Sequence, residues 1–338
     1  MSAVDFQGEL AAKLAGYLSA EWGEPVTIDR LGIVSAGARR TNAIFTAHRG
    51  GQLQDLAATL IPTADNEINP ISVEAAVRTL AEGRGVPVPT IRAVCTDRSV
   101  VGGPFFVSDF VAGETVPRRL LRLVDDNGIG DVVGAQLGEA FAALHSIPLH
   151  ETPDGLMSNE NPNPAEQALA EAQLAVDELL QPRPAIAYGM RWLEDHIPSP
   201  PRTRVILHTD VRTGNIIVGP TGLQAILDWE GSRSGGDPMQ DLAWPSLRMW
   251  RFRNDDREIG GMCDRHVLAE AYEKAGGTFD EPRFEWWKVM GTLKWALGLA
   301  GQAAQHLDGR FVTVVMAASG RRVSELEWDL LMLTKPSM

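Results

Sequence analysis

Lysine, cysteine and long apolar runs are all scarce in this chain of 338 residues. The two cysteines, Cys95 and Cys263, match no metal-binding spacing, which favours buried free thiols in a reducing compartment. No apolar run approaches membrane-spanning length, and the first residues lack a basic-then-apolar signal pattern. We therefore expect a cytoplasmic protein with no membrane partner. The lysines are Lys13, Lys274, Lys288, Lys294 and Lys335, so residues 14–273 contain none.

Basic runs are also missing. The net charge is −13 and the sequence pI is about 5.0, so a nucleic-acid partner is not expected. An acidic surface more often confers solubility than binds a cationic substrate. A hydrophobic content of 44% with 22% charged residues is typical of a soluble globular protein with a core. The length allows one large domain or two small ones.

The periodicity of apolar residues changes along the chain. It predicts a helix over 4–22, strands over 26–28, 43–47 and 53–61, a helix over 72–83, and strands over 91–95 and 105–111. Later helices are predicted over 130–146, 165–180, 184–196, 239–252, 262–275, 282–306 and 313–333. The fold class predicted is therefore α+β, with a small sheet-rich lobe (1–112) and a larger, mainly helical lobe (113–338).

A polar pattern interrupts the helical region. His208, Asp210 and Asn215 read H-x-D with Asn five residues after the Asp, and Asp228 ends a later apolar strand. This is the order of a kinase catalytic loop and its metal-binding Asp. Strands over 216–218 and 223–227, joined by a tight turn, would bring Asn215 close to Asp228. A lone Asp is usually a turn or cap residue, but four polar residues in register favour a site.

Beyond this pattern, the chain resembles the aminoglycoside phosphotransferase and choline-kinase-like family, which has the bilobal protein-kinase-like fold. The resemblance covers nearly the whole chain, and its strongest segments are 35–40, 104–113, 208–215, 227–230 and 236–242. Segments 191–194 and 321–329 resemble a subgroup found among acyl-CoA-metabolising bacteria. The resemblance implies transfer of phosphate from ATP or GTP, with Mg²⁺, to a hydroxyl of a small molecule.

Site residues follow from the resemblance position by position. Asp210 matches the catalytic base, and Asn215 and Asp228 match the Mg²⁺ ligands. Gly37 and Arg40 lie in the segment that matches the phosphate-covering loop.

Three further positions match the nucleotide site. Adenine is expected to pack where Asp109 to Val111 link the lobes. Glu74 matches a glutamate that pairs with a basic residue on the third strand.

One departure from the family bears on activity. Thr59 stands where the family has Lys or Arg on the third strand, and a charge-assisted hydrogen bond to phosphate contributes roughly 1.5–3 kcal/mol. Its loss would lower the rate about 10- to 100-fold. Two alternatives stay open. Either Arg39 or Arg40 replaces the missing cation, or Glu74 has no partner and the chain is an impaired or non-catalytic nucleotide- or metabolite-binding protein.

The neighbours of the motif are expected to be mainly structural. His208 and Asp241 match residues that brace the loop, and Thr209 stands where the family usually has Gly. Glu230 either binds substrate or holds the loop.

The acceptor is expected over the helical lobe, where six of the nine tryptophans cluster: Trp229, Trp244, Trp250, Trp286, Trp287 and Trp295. An aminoglycoside-like acceptor would require several carboxylates in its binding site, whereas a hydroxyacyl-type acceptor would require an apolar groove. The oligomeric state, monomer or homodimer, is left open.

Overall fold

An antiparallel sheet and three helices form the first third of the chain. The structure is a computed structural model that describes residues 3–36, 40–62 and 67–335. The elements of this part are α1 (Ala3–Trp22), β1 (Val26–Ala36), β2 (Thr41–Arg49), β3 (Gln52–Leu60), α2 (Ile71–Glu82), β4 (Ile91–Cys95), α3 (Arg98–Val101) and β5 (Phe105–Asp109).

The five strands pair antiparallel in the order β1-β2-β3-β5-β4. The predicted β2–β3 hairpin is confirmed. Its turn uses Gly50 and Gly51 with φ of 53° and 78°, a left-handed pair that suits the twist of a two-residue hairpin. α1 covers one face of the sheet, where its leucine stripe packs against residues such as Phe45. On α2, Ile71 packs against Phe106 of β5.

Helices dominate the rest of the chain. In order, the elements are α4 (Pro117–Asn127), α5 (Gly130–His145), α6 (Pro164–Asp177), α7 (Pro184–Asp195), β6 (Val205–Leu207), β7 (Ile216–Gly219), β8 (Gly222–Ile226), β9 (Arg233–Gly236), α8 (Pro238–Ala243), α9 (Arg265–Lys274), α10 (Glu281–Leu307) and α11 (Val314–Leu333). β7 pairs with β8, and β6 pairs with β9. Their shared core buries large side chains, among them Trp229, Trp286 and Phe141. The predicted α+β class, with a small antiparallel sheet and a larger helical part, is confirmed.

The helix predicted over 239–252 was wrong beyond Ala243. α8 ends there, and two 3-10 turns follow, Trp244–Ser246 and Arg248–Arg251. Pro245 has no backbone N–H and restricts the residue before it, so a regular helix cannot continue through this position. The break matters because it places Trp244 in a turn beside the loop that follows β6.

Other boundaries also differ. The helix predicted from residue 262 begins at Arg265, because Gly260 and Gly261 both have positive φ. α4 and β9 were not predicted, and β9 is a four-residue strand with two glycines. Among the described residues, no helix combines the length and apolar character needed to cross a membrane. Cys95 and Cys263 are buried free thiols, as predicted.

The close packing of α5 on α9 can be tested by a substitution at Gly138 of α5. A Cβ atom there would lie 2.5 Å from the backbone oxygen of Leu268 and 2.9 Å from the backbone nitrogen of Tyr272. We expect Gly138→Ala to lower the free energy of unfolding by about 1–3 kcal/mol, because neither backbone atom can move aside. Thermal denaturation followed by circular dichroism would measure this.

Gly16 of α1 supplies the matched control. It is exposed, and a Cβ atom there would meet nothing within 4 Å. Gly16→Ala should raise the stability by roughly 0.5–1 kcal/mol, because alanine loses less backbone entropy in a helix. If the two variants melted at the same temperature, the α5–α9 contact would be looser than described.

Candidate active site

The β7–β8 hairpin brings Asn215 and Asp228 to one place. Ile216 pairs with Ile226, and the backbone N–H of Leu227 donates to the carbonyl of Asn215 over 2.8 Å. Asn215 therefore precedes one strand, and Asp228 follows the other, at the same end of the hairpin. Asp228 has φ of 66°, a left-handed conformation that turns the chain away from the direction of β8. The predicted hairpin is confirmed.

Three donors hold the carboxylate of Asp210. Trp244 Nε1 donates to Oδ1 over 2.7 Å, and Arg212 Nε donates to the same oxygen over 3.1 Å. Asn215 Nδ2 donates to Oδ2 over 2.7 Å. Burial raises the pKa of the Asp210 carboxyl; Arg212 opposes this effect and nearby Asp228 adds to it. The result is an oriented carboxylate with increased proton affinity.

Asp241 holds the loop that follows β6 by hydrogen bonds to its backbone. Its buried carboxylate accepts hydrogen bonds from the backbone N–H groups of His208 (2.8 Å) and Thr209 (2.7 Å). Burial lowers the pKa of His208, so its ring is neutral at pH 7. Nδ1 accepts the backbone N–H of Asp210 over 3.2 Å, which leaves Nε2–H to donate to the carbonyl of Leu227 over 3.0 Å. These contacts agree with the bracing positions predicted for His208 and Asp241.

Thr209 has φ of 78°, a left-handed conformation that is unfavourable for a β-branched residue. This explains why glycine is usual here in the family that the sequence resembles. The hydroxyl of Thr209 donates to the carbonyl of Gly231 over 3.0 Å, which ties the loop to the segment after β8. The strain therefore comes with a compensating contact.

Arg40 provides the positive charge that β3 lacks. Its Nη2 and Nη1 atoms lie 2.6 and 3.2 Å from the two carboxylate oxygens of Glu74, which is buried on α2. Its Nε lies 2.7 Å from Glu230, and Nη1 lies 3.9 Å from Asp228. Burial disfavours the charged guanidinium, but Glu74, Glu230 and Asp228 outweigh that effect and raise the pKa of Arg40. Glu74 therefore has Arg40 as a partner, so the expectation of an unpartnered Glu74 is wrong.

Thr59 has a local role on the sheet. Its hydroxyl donates to Oδ1 of Asn42 on β2 over 2.9 Å, and the two residues are cross-strand partners. Arg40 lies just before β2, one strand away from the position where the family has its basic residue. Arg40 thus brings a cation to Glu74 although β3 itself carries none.

Asp109 is the last residue of β5, and Val111 follows two residues later. The carboxylate of Asp109 pairs with Arg92 at 2.5 Å, and its backbone N–H donates to the carbonyl of Thr90 over 2.9 Å. Asp109, predicted to lie at the adenine, thus contacts β4 and the segment before it. Glu74 and Asp228, in contrast, both contact Arg40. Gly37 and Arg39 lie outside the described residues.

A cavity of about 230 Å³ begins beside the loop, at Thr209 and Trp244. Drug-sized ligands usually occupy roughly 300–1,000 Å³, so it suits a small molecule or one end of a larger one. Sequence reasoning expected a pocket near the tryptophan cluster but did not identify its walls. Besides these two residues, the side chains that line it include Ile68, Met157, Arg233, Trp287, Met290, Lys294 and Trp295.

Comparison with known families now adds to this geometry. A family model described as the phosphotransferase enzyme family matches residues 34–287, which is most of the chain. The chain belongs to that family. The match extends from β1 into α10 and therefore includes Arg40, the 208–215 loop and Asp228. The resemblance predicted from the sequence is confirmed.

A curated relative adds a further likeness. Acyl-CoA dehydrogenase family member 10 of Mus musculus is 24% identical over 290 residues, which cover 81% of this chain and 26% of that protein. The chain thus spans about a quarter of the length of this relative.

Solved structures share the fold. The GDP complex of aminoglycoside 2'-phosphotransferase-IIIa has a TM-score of 0.66 at 13% identity, and covers 94% of this chain and 99% of that chain. A thermostable mutant of aminoglycoside phosphotransferase APH(4)-Ia, in complex with ADP and hygromycin B, has a TM-score of 0.61 at 14% identity. That match covers 96% of this chain and 100% of the other. At these identities the likeness establishes the fold, which confirms the predicted phosphotransferase-like, two-part architecture.

The brace at Asp241 can be tested by Asp241→Asn. Both carboxylate oxygens accept backbone N–H groups, so an amide must place its NH₂ against one of them. We expect a loss of about 1–3 kcal/mol in unfolding free energy, since a buried donor is left without an acceptor. Urea denaturation would measure the change.

Asp126→Asn is the matched control, because Asp126 is exposed on α4. It should change the stability by no more than about 0.5 kcal/mol. Equal stability of the two variants would contradict the bracing arrangement.

Proposed function

We propose that this protein transfers the γ-phosphate of ATP or GTP to a hydroxyl of a small molecule with the help of Mg²⁺. The observation that carries the proposal is the position of Arg40, which contacts Glu74 from α2 and both Glu230 and Asp228 from the segment after β8. One guanidinium thus connects the sheet part of the molecule to the segment with the proposed metal ligand. A phosphotransferase needs a cation between these two parts, where the phosphates lie.

Asp210 is the proposed catalytic base. Phosphoryl transfer is mostly positioning and charge neutralisation, so this carboxylate has to align the hydroxyl and accept its proton late. The N–H donors of Trp244, Arg212 and Asn215 fix its orientation, which avoids reorganisation during the reaction. Its raised pKa brings its basicity closer to neutral pH, where a general base is most effective.

Asn215 and Asp228 are the proposed Mg²⁺ ligands, and their chemistry fits the ion. The NH₂ group of Asn215 donates to the carboxylate and the carbonyl of Asp210, so the amide oxygen points away and stays available. The side chain of Asp228 is 36% exposed and carries hard oxygen ligands. When bound, Mg²⁺ neutralises charge that develops on the phosphates. Here the two side chains supply oxygens and leave the remaining positions to phosphate and water.

The nucleotide is proposed to lie between the sheet and the hairpin. Arg40, oriented by Glu74, would face the phosphates, and Gly37 belongs to the same loop. The backbone from Asp109 to Val111 would receive the adenine or guanine base. Two fold relatives are described as complexes with GDP and with ADP, which supports a purine nucleotide as co-substrate.

A non-catalytic nucleotide- or metabolite-binding protein is the second candidate. This candidate was suggested by Thr59, which stands where the family has a basic residue. The Arg40–Glu74 pair weakens that argument, because Glu74 has a basic partner. The acceptor of the reaction is proposed to be of hydroxyacyl type or aminoglycoside-like. The apolar walls of the cavity beside Thr209 favour the first, since they include three tryptophans and two methionines.

Asp210→Asn tests the proposed base. We expect ADP release in the presence of an acceptor to fall at least about 100-fold, because proton transfer to a positioned base contributes typically 10²–10⁴-fold. Turnover equal to the wild type would remove Asp210 from the mechanism.

The thermal stability of Asp210→Asn supplies the control for this test. The pKa of Asp210 is raised by folding, so its carboxyl favours the folded state when protonated, and this contribution is lost as pH rises through the raised pKa. At pH 7 the wild type therefore pays for a buried charge that Asp210→Asn lacks. The amide of the variant must also place its NH₂ group against one of the donors that hold Asp210, which opposes this gain. The melting temperature should therefore change little at pH 7, and a cooperative transition near that of the wild type separates lost chemistry from lost folding.

Arg40→Met tests the replacement cation. Loss of a charge-assisted contact should lower kcat/KM for the nucleotide about 10- to 100-fold. It also leaves the buried carboxylate of Glu74 without Arg40, so the melting temperature should fall. The double variant Arg40→Met, Glu74→Gln should regain much of that stability but none of the activity. Arg122→Met, at an exposed position of α4, is the control.

Nucleotide binding separates the two candidate functions. Calorimetry of wild-type protein with ATP, GTP and Mg²⁺ should give Mg²⁺-dependent binding that Arg40→Met weakens. Wild-type activity in Arg40→Met would show that the cation is dispensable. Absence of nucleotide binding in the wild type would favour the non-catalytic candidate.

A further inference from the structure

Two cations line the cavity beside the proposed base. Arg233 of β9 and Lys294 of α10 both contribute to its wall, and no carboxylate is among the described residues that line it. Its other walls are mainly aromatic and apolar. A cavity of this kind is suited to a ligand with an apolar body and a negatively charged end.

Glu171 of α6 shows how the two cations bind a carboxylate. Arg233 Nη1 donates to one of its oxygens over 3.3 Å, and Lys294 Nζ donates to the other over 3.4 Å. Arg233 also donates to the side-chain oxygen of Asn159 over 3.1 Å. One carboxylate thus faces two cations, and a net positive charge remains. Burial lowers the pKa of Lys294, and Arg233 adds to this effect while Glu171 opposes it, which agrees with incomplete compensation.

Trp295 supplies a further donor. Its indole Nε1 is buried and has no hydrogen-bond partner among the described residues. Trp295 follows Lys294 on α10 and also lines the cavity. This unpaired group of the wall is a donor, which matches an acceptor-rich ligand end.

Two further residues of the wall connect the cavity to the proposed base. Trp244 lines the cavity and donates its Nε1–H to Asp210 over 2.7 Å, and Thr209 is the residue before Asp210. A molecule in this cavity therefore lies beside both the Asp210 loop and the two cations. Tryptophan faces can also attract cations, but a cationic ligand here would have to approach Arg233 and Lys294.

We infer that the acceptor is a hydroxylated carboxylic acid, whose carboxylate binds Arg233 and Lys294 while its hydroxyl reaches Asp210. This inference rests on the proposed phosphotransferase function and narrows it. Cationic amino alcohols and aminoglycosides are excluded as preferred acceptors. Transfer would form a phosphate ester at the acceptor oxygen, break the bond to the nucleotide β-phosphate oxygen, and move the hydroxyl proton to Asp210.

Matched probes of opposite charge test the inference in the full chain. ω-Hydroxy carboxylates of four to ten carbons would be compared with ω-amino alcohols of the same lengths. Binding is read from the quenching of tryptophan fluorescence, because Trp244, Trp287 and Trp295 line the cavity. ADP release is measured in parallel with ATP and Mg²⁺. We expect at least one hydroxy carboxylate to bind at least 10-fold more tightly than its amino counterpart.

Lys294→Met should weaken binding of that hydroxy carboxylate at least 10-fold and raise its KM more than it lowers kcat. Lys274→Met is the matched control, since Lys274 is exposed at the end of α9 and does not line the cavity. It should leave binding unchanged. Lys294→Arg should retain part of the binding because it keeps the positive charge. Lys294→Met should not weaken binding of the amino alcohol of the same length, whereas a merely structural role would weaken both ligands alike.

The outcomes separate this inference from the function on which it rests. Equal or tighter binding of the amino alcohols, or no binding of any hydroxy carboxylate, would overturn the inference. Release of ADP with amino alcohols alone would also overturn it while supporting the phosphotransferase. Charge-selective binding that Lys294→Met abolishes, without ADP release, would support the carboxylate site and count against catalysis.

Discussion

The contact between Arg40 and Glu74 is the interaction on which the proposed site depends. Glu74 is buried on α2, and an isolated carboxylate in that position would be costly. Arg40 satisfies it with two nitrogen atoms and reaches Glu230 and Asp228 with the same guanidinium. Residues 14–273 contain no lysine, and it is an arginine, Arg40, that contacts both Glu74 and Asp228. The planar fork of arginine suits this role, because it presents several donors in fixed directions.

A second set of constraints fixes the proposed base. Asp241 holds two backbone N–H groups of the loop, and neutral His208 links that loop to the end of β8. Thr209 adopts a left-handed conformation in which its hydroxyl still makes a contact. Backbone strain of this kind persists only where the surroundings determine it, and it often occurs at functional sites. The loop is therefore held by buried polar contacts rather than by regular secondary structure.

Local patterns predicted much of the fold. The strand edges near residues 91–95, the leucine stripe of α1 and the β7–β8 hairpin all follow from periodicity and turn residues. The helix prediction was wrong over 244–252, because the apolar spacing continues past Pro245 although a regular helix cannot. β9 was missed because two of its four residues are glycine, which carries no periodic signal. The division of the chain at residues 112 and 113 stays a prediction.

The sequence by itself determined the order of Asp210, Asn215 and Asp228, since the spacing around one tight hairpin fixes their proximity. It also showed that β3 lacks a cation. Only the tertiary structure showed that Arg40 pairs with Glu74, because the two residues are distant in the chain. The sequence also did not show that Arg233 and Lys294 lie close together, since the two residues are remote in the chain and meet at Glu171 of α6. Contacts between remote segments depend on the packing of whole elements, which no local pattern encodes.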